Sequence, residues 1–299
     1  MVKLTFLGTA DQISSESRNH TSILLVNNEE NILIDCGEGT QRQFRKADLN
    51  PCKVTRILIT HWHGDHVLGL IGILSTLAVS GYNKTLFIYG PRGIKENMQN
   101  LFYAFPFKKT YEIIIEEVSG KFFENENFYL EAEKMQHGIN TNAYSFTKIG
   151  KKRIDKDKMK KLGLPEGPLM RDLKEGKDIV FEGKKYKSKD LTFQEEDLKI
   201  SFVLDTLNNE NIIPFVKNSN LLVSECNFSK NDIDKAREHF HLTSVDVGKI
   251  AKKAKVEKLI LTHISQRYEK CPKLILEEVK ENFSNVVFAK DLDSFEVGK

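Results

Sequence analysis

Short apolar or alternating runs recur along the chain: LTFLG (4–8), SILLV (22–26), NILID (31–35), RILIT (56–60), TLFIYG (85–90), FYLEAEKMQ (128–136), ISFVLD (200–205), LLVSE (221–225), KLILTH (258–263) and VVFAKD (286–291). β-Branched content and period-two alternation make these predicted strands. Between them, helical spacing of apolar positions covers residues 67–79, 94–105, 244–254 and 272–283. Strands alternating with helices predict an α/β layered fold with helices over sheet faces. The early strands are separated by turns only, so hairpins and a mixed sheet are expected. The pattern fails between residues 148 and 197, which are strongly charged and carry GLPEGP at 163–168. Pro and Gly at that density break helices and make turns. This stretch is expected to be an insertion protruding from one domain that spans residues 1–299.

The 299 residues, 40% of them hydrophobic, suffice for a sizeable core. Cys36, Cys52, Cys226 and Cys271 lie far apart without a CxxC pair, so neither a disulfide framework nor a thiolate zinc site is indicated, and a reducing cytoplasm fits. No apolar stretch approaches the roughly 18 residues of a membrane span. Net charge is +3, but Lys148–Lys161 holds eight basic and two acidic residues in fourteen positions, leaving the remainder net negative. Standing alone, such a run is either a solvated lysine-rich surface or a phosphate-binding patch.

The densest chemistry is the segment HWHGDH, in which His61, His63, Asp65 and His66 follow a strand. The strand is expected to end near Thr60, with the ligands on a tight loop and a helix starting about His66. Three imidazoles and a carboxylate within six residues suit zinc or a similar divalent ion. Other strand-like runs stop at His137, Asp205 and His263. Each has a plain alternative: a cap, a turn former and a core histidine. Residues at the carboxyl ends of neighbouring strands meet in one crevice, however, so the seven could hold two cations with one carboxylate shared.

With those positions HWHGDH resembles the metallo-β-lactamase superfamily. FLGTA (6–10), IDCGEGTQRQ (34–43), the LPEGP stretch, LDT (204–206), SECNF (224–228), HLTS (241–244) and LTHISQRY (261–268) make the chain similar to the ribonuclease Z family of tRNA 3′-processing endonucleases. The resemblance implies an αββα sandwich and a homodimer in which one subunit's arm serves the other's active site. It implies two zinc ions per subunit: His61, His63 and His137 on one, Asp65, His66 and His263 on the other, Asp205 bridging. Asp65 would also orient the attacking water, and His241, its tautomer fixed by Glu225, would act at the scissile phosphate. His239, two residues away, is taken as structural. Residues 148–197 become the arm that grips precursor tRNA through Lys151, Lys152, Arg153, Lys156 and Lys158, with Gly163, Pro165, Gly167 and Pro168 shaping it. The N-terminal window, Ser14 to Asn19, keeps only Arg18 and Asn19 of the family's RNA-facing loop and carries Glu16 in place of its Lys. Two rivals are a phosphodiesterase of other RNA or small phosphodiesters on the same fold, and an RNA-binding protein with vestigial metal sites.

Overall fold

The computed structural model describes residues 1–298. One seven-stranded sheet contains β1 (Val2–Gly8), β2 (Ser22–Asn27), β3 (Glu30–Ile34), β4 (Arg56–Leu58), β5 (Leu86–Gly90), β6 (Ile113–Glu117) and the C-terminal β18 (Ser294–Val297), in the order β18-β1-β2-β3-β4-β5-β6. The early turns make antiparallel pairs from β18 through β3, and the crossovers that follow make β3 to β6 parallel. The second sheet has seven strands. It uses β7 (Gly120–Glu124), β8 (Phe128–Gln136), β9 (Asn140–Lys148), β14 (Leu198–Val203), β15 (Leu221–Glu225), β16 (Lys258–Thr262) and β17 (Val286–Phe288) in the order β17-β16-β15-β14-β9-β8-β7, with β14 to β17 parallel. This is the expected α/β sandwich of helix, sheet, sheet and helix.

Each sheet buries a helical layer. Phe44 of α1 (Thr40–Lys46), Leu70, Ile73, Leu74 and Leu77 of α3 (Leu70–Val79), and Ile94 and Met98 of α4 (Ile94–Ala104) pack into one core with Leu33, Ile57 and Ile88. On the other sheet, Ile212 and Val216 of α8 (Ile212–Val216), Val247 and Ile250 of α10 (Ser244–Lys253), and Ile275 and Val279 of α11 (Pro272–Lys280) cover Leu222, Leu259 and Leu261. Burying such aliphatic side chains stabilises by roughly 1.5–3 kcal/mol apiece.

Two local departures from the expected pattern have physical causes. The helix over 67–79 is split: α2 (Gly64–Val67) precedes α3, and the chain turns at Leu68 and Gly69. Gly69 donates its N–H to Cys36 O, and a Cβ there would lie 2.1 Å from Gly37 O; only glycine permits that approach. Asp65 and His66 therefore sit in a helical turn that starts at Gly64, earlier than the expected start at His66. Strand β9 was hidden by its polar residues (NTNAYSFTK), yet seven consecutive positions are buried because it lies between β8 and β14.

Residues 1–123, 130–146 and 199–299 form one compact unit, and residues 124–129 and 147–198 a second. The second unit has two small antiparallel sheets, β10 (Lys152–Ile154) with β13 (Thr192–Gln194) and the hairpin of β11 (Ile179–Phe181) with β12 (Lys184–Tyr186). Its helices are α5 (Lys156–Lys161), α6 (Pro168–Lys174) and α7 (Ser188–Leu191). Ile154, Met159, Leu164, Leu173, Ile179 and Leu191 give it an apolar core of its own. Among the described residues no helix is long and apolar enough to cross a membrane.

Candidate metal centre

The parallel strands bring their carboxyl ends to one edge, and the polar residues that follow them converge there. Asp35 follows β3, His61 and His63 follow β4, Asp205 and Glu225 end the β14 and β15 runs, and His263 follows β16; His137 comes from the turn between β8 and β9. Asp35 and His263 both adopt φ near +55° (55° and 53°). Non-glycine residues seldom take that conformation, and such strain gathers at functional sites. Here it turns the chain at the end of a strand.

Two ligand groups result. In the first, His61 Nε2 and His137 Nε2 lie 3.0 and 3.1 Å from His63 Nδ1. One ring nitrogen carries one proton or one lone pair, so His63 Nδ1 cannot hydrogen-bond well to both neighbours at once. A cation between the three resolves that. In the second, Asp65 Oδ2 lies 3.1 Å from His66 Nε2 and 3.3 Å from His263 Nε2, and Asp205 Oδ1 is 3.2 Å from His263 Nε2. Asp205 Oδ2 reaches 3.6 Å from His61 Nε2, 3.9 Å from His137 Nε2 and 3.5 Å from His66 Nε2, so the carboxylate stands between the groups. Among the described residues, His66 Nε2 and Asp205 Oδ1 are buried without a hydrogen bond. Buried polar atoms left unpaired are costly, and a divalent ion is the partner that this nitrogen and oxygen donor set fits.

The electrostatics of the first group agree with that use. Burial lowers the pKa of His61, His63 and His137, so their imidazoles are held neutral with lone pairs available. Burial opposes charge on Asp65 and Asp205, but the facing His66 and His263 hold both carboxyls well below the ordinary range.

The outer hydrogen bonds are as ordered as the ligands. Asp35 accepts from His66 Nδ1 at 2.6 Å and from Thr60 N and Thr60 Oγ1 at 2.7 Å. His137 Nδ1 lies 3.1 Å from Phe240 O, and His263 Nδ1 faces the Asn227 amide at 3.3 Å. Such partners fix the tautomer and aim of a ligating ring. Asp35 too ends a strand-like run, but its role shows only in the folded chain.

His241 belongs to a different arrangement. Its Nδ1 is 3.0 and 3.1 Å from the two oxygens of fully buried Glu225, which also accepts from Thr206 N at 2.7 Å. Burial alone would lower the His241 pKa, but the charge of Glu225, reinforced by Asp205 and the Glu225 hydrogen bond, pushes it up to about 9. Two residues on, Thr243 and Asp246 form a capping box that fixes the start of α10. The His241 ring stands 5.4 Å from that of His137 and 5.6 Å from that of His263. All three line an open cavity of about 540 Å³ with His63, Asp65 and Asp205. His239, taken as structural, lines it too, with its ring stacked on Phe228 at 6.2 Å.

The expected RNA-facing residues divide. Arg18 and Asn19 require a correction. Arg18 is buried and donates from Nη1 to Thr9 Oγ1 (2.6 Å) and Ala289 O (2.9 Å), while Asn19 donates from Nδ2 to Glu38 O at 2.6 Å. Both anchor their loop internally instead of extending from the surface. In the second unit, Lys151 and Lys152 donate to Asn127 Oδ1 and Ser188 Oγ, while Arg153, Lys156 and Lys158 pair with Glu195, Glu166 and Asp155 at 2.8, 3.1 and 3.3 Å. Exposed pairs of this kind are worth at most about 1 kcal/mol and exchange readily for phosphate. Between α5 and α6, Gly163 takes φ +68°, Leu164 enters the small core, Pro165 and Gly167 carry the turn, and Pro168 opens α6. That stretch builds the unit rather than presenting charge.

Comparison with known proteins gives three results. A model of the family described as Anti-Pycsar protein Apyc1 matches residues 2–147. The chain is 36% identical over 306 residues to a protein of Listeria welshimeri named Ribonuclease Z, covering 100% of both. Among solved structures it resembles the metallo-beta-lactamase fold protein YhfI of Bacillus subtilis (TM-score 0.73, 20% identity, 99% of each chain). It also resembles the short form of human tRNase Z (TM-score 0.72, 23% identity, 99% of this chain and 100% of that one).

Proposed function

The chain belongs to the ribonuclease Z family of hydrolytic endoribonucleases, and from that premise we propose that it removes the 3′ trailer from precursor tRNA using two zinc ions held by its own side chains. One observation carries this reading. Two ligand groups joined at Asp205 share a cavity with the His241–Glu225 pair, in a chain matched end to end by a ribonuclease Z.

His61, His63 and His137 would hold one ion and Asp65, His66 and His263 the other, with Asp205 between them. Zinc bound there supplies Lewis acidity that lowers the pKa of a water and offsets phosphate charge. Asp65 lines the cavity and is placed to orient the attacking water and take its proton. Glu225 occupies His241 Nδ1, leaving Nε2 for the phosphate or the departing 3′-oxygen. Water oxygen joins phosphorus and the P–O3′ bond breaks, so the tRNA ends in a 3′-hydroxyl and the trailer begins with a 5′-phosphate. Zinc-loaded protein incubated with a 3′-extended precursor tests this. Those two ends are expected; other ends, or an uncut precursor, overturn the reading.

Glu225→Gln gives a pH test. The carboxylate raises the His241 pKa, so its loss lets burial dominate and the protonated form disappears at lower pH. The alkaline limb of kcat/KM is expected to move down in the variant. An unmoved limb with intact metal content would detach Glu225 from His241.

Residues 148–197 are proposed as the arm that grips the tRNA, in a cytoplasmic homodimer. Replacing Lys151, Lys152, Arg153, Lys156 and Lys158 by Gln is expected to weaken precursor binding and flatten its salt dependence, since each lost phosphate contact lowers the slope of log K against log salt by about 0.9 on a duplex. Hydrolysis of a small phosphodiester should persist. Equal loss on both substrates would indicate damage to the site, and no loss on tRNA would make the run a solvated surface.

A further inference from the structure

Two openings meet at His63. One is the metal-centre cavity; the other, about 350 Å³, shares His63 with it and adds His61, but is lined by none of His241, Phe228 or His239. Its volume falls within the roughly 300–1,000 Å³ of small-ligand sites. The walls are aromatic and aliphatic: Trp62, Pro91, Ile94 and Ile139, the last 38% exposed although large and apolar. Polar groups enter at Arg92, Asn97 and Asn140. The exposed Arg92 guanidinium has no ion pair or hydrogen bond among the described residues, and neither the Trp62 indole N–H nor the Asn97 amide has a partner there.

A flat aromatic ring in an apolar slot, unengaged amide and indole groups, and a free cation at the mouth match the parts of a nucleotide. Bases stack on aromatic faces, and arginine takes phosphate in a bidentate fork. The role proposed for His241 indicates which nucleotide. His241 Nε2 is given to the departing 3′-oxygen, so the tRNA body, which carries that oxygen, lies on the side of the phosphate that faces His241. The nucleoside attached through its 5′-oxygen is then the one directed past His63. We propose that this slot takes the first nucleotide of the trailer, its base against Trp62 and its 3′-phosphate on Arg92. The proposal rests on the function given above and adds to it a subsite on the trailer side of the cut.

The test uses metal-replete full-length protein and precursor tRNAs carrying one abasic nucleotide, either first in the trailer or last before the cut. On wild-type protein the trailer abasic is expected to raise KM on the order of ten-fold, the scale of one lost stacking contact. Trp62→Ala should raise KM for the intact precursor by a similar factor, then show no further loss with the trailer abasic while keeping the wild-type response to the other. Since Trp62 lies between two proposed ligands, metal content is measured alongside, and the exposed Arg92→Gln serves as a second variant. It should raise KM several-fold and lower the salt slope by about the share of one phosphate. The slot is overturned if the trailer abasic costs Trp62→Ala the same factor as wild type, or if Arg92→Gln changes neither KM nor salt slope. If Trp62→Ala loses metal, Arg92→Gln alone decides. A wild-type protein that leaves the intact precursor uncut overturns the functional reading and this one with it.

Discussion

Asp65→Ala is expected to bring precursor cleavage down to background, a loss of at least about a thousand-fold, because in the proposed mechanism one carboxylate would serve both as ligand and as base. Its Oδ2 lies against His66 and His263, and the residue opens onto the cavity. Removing it would unseat one ion and take away the group proposed to accept the water proton. His241→Ala is the informative contrast. It should slow cleavage by a factor on the order of 10²–10⁴, the range for a positioned proton donor, while metal content stays at the wild-type level, because the His241 ring is tied to Glu225. Single-turnover cleavage and metal analysis on the two variants separate the roles. Metal lost from His241→Ala would make that histidine a ligand, and cleavage retained by Asp65→Ala would remove Asp65 from the chemistry.

The second large effect concerns the ions. Asp205 is the only one of the seven whose oxygens approach both groups, lying 3.6 Å from His61 Nε2 and 3.2 Å from His263 Nε2. Asp205→Ala combined with His263→Ala therefore removes the link and a further donor of the second group. Zinc content is expected to fall from about two ions per chain to below one, with cleavage lost. A content that stays near two after reconstitution would sink the assignment of these ligands. Mn²⁺ or Co²⁺ restoring activity to the wild-type protein would leave the ligands standing and change only the metal.

Much of this was legible in the chain itself, for identifiable reasons. Strand-like runs that stop at a polar residue announced His137, Asp205 and His263 as a set, although each alone has a plain alternative as a cap, a turn former or a core histidine. HWHGDH was dense enough to mark itself. Less legible were features decided by partners distant in sequence. Asp35 lies inside IDCGEGTQRQ, yet its work, accepting from His66 and Thr60, depends on β3 and β4 running side by side. Arg18 and Asn19 looked like surface groups because their acceptors, Ala289 O and Glu38 O, come from elsewhere in the chain. The slot beside Trp62 is assembled from three connections, after β4, after β5 and between β8 and β9, and no periodicity reports that.

The nitrogen of His66, in α2, and the oxygen of Asp205, after β14, both buried without a hydrogen bond among the described residues, tie the lifetime of the fold to metal supply. An ion that binds the folded chain and not the unfolded one stabilises it by RT ln(1 + [M]/Kd), about 2.7 kcal/mol at a hundred-fold excess over Kd. That is a substantial share of the roughly 5–15 kcal/mol that holds a typical domain together. Scarcity of metal would thus be felt first as a larger unfolded fraction open to proteases and only then as a slower enzyme. Abundance and activity would fall together, and trailer removal in the cell would follow metal availability more steeply than occupancy alone dictates.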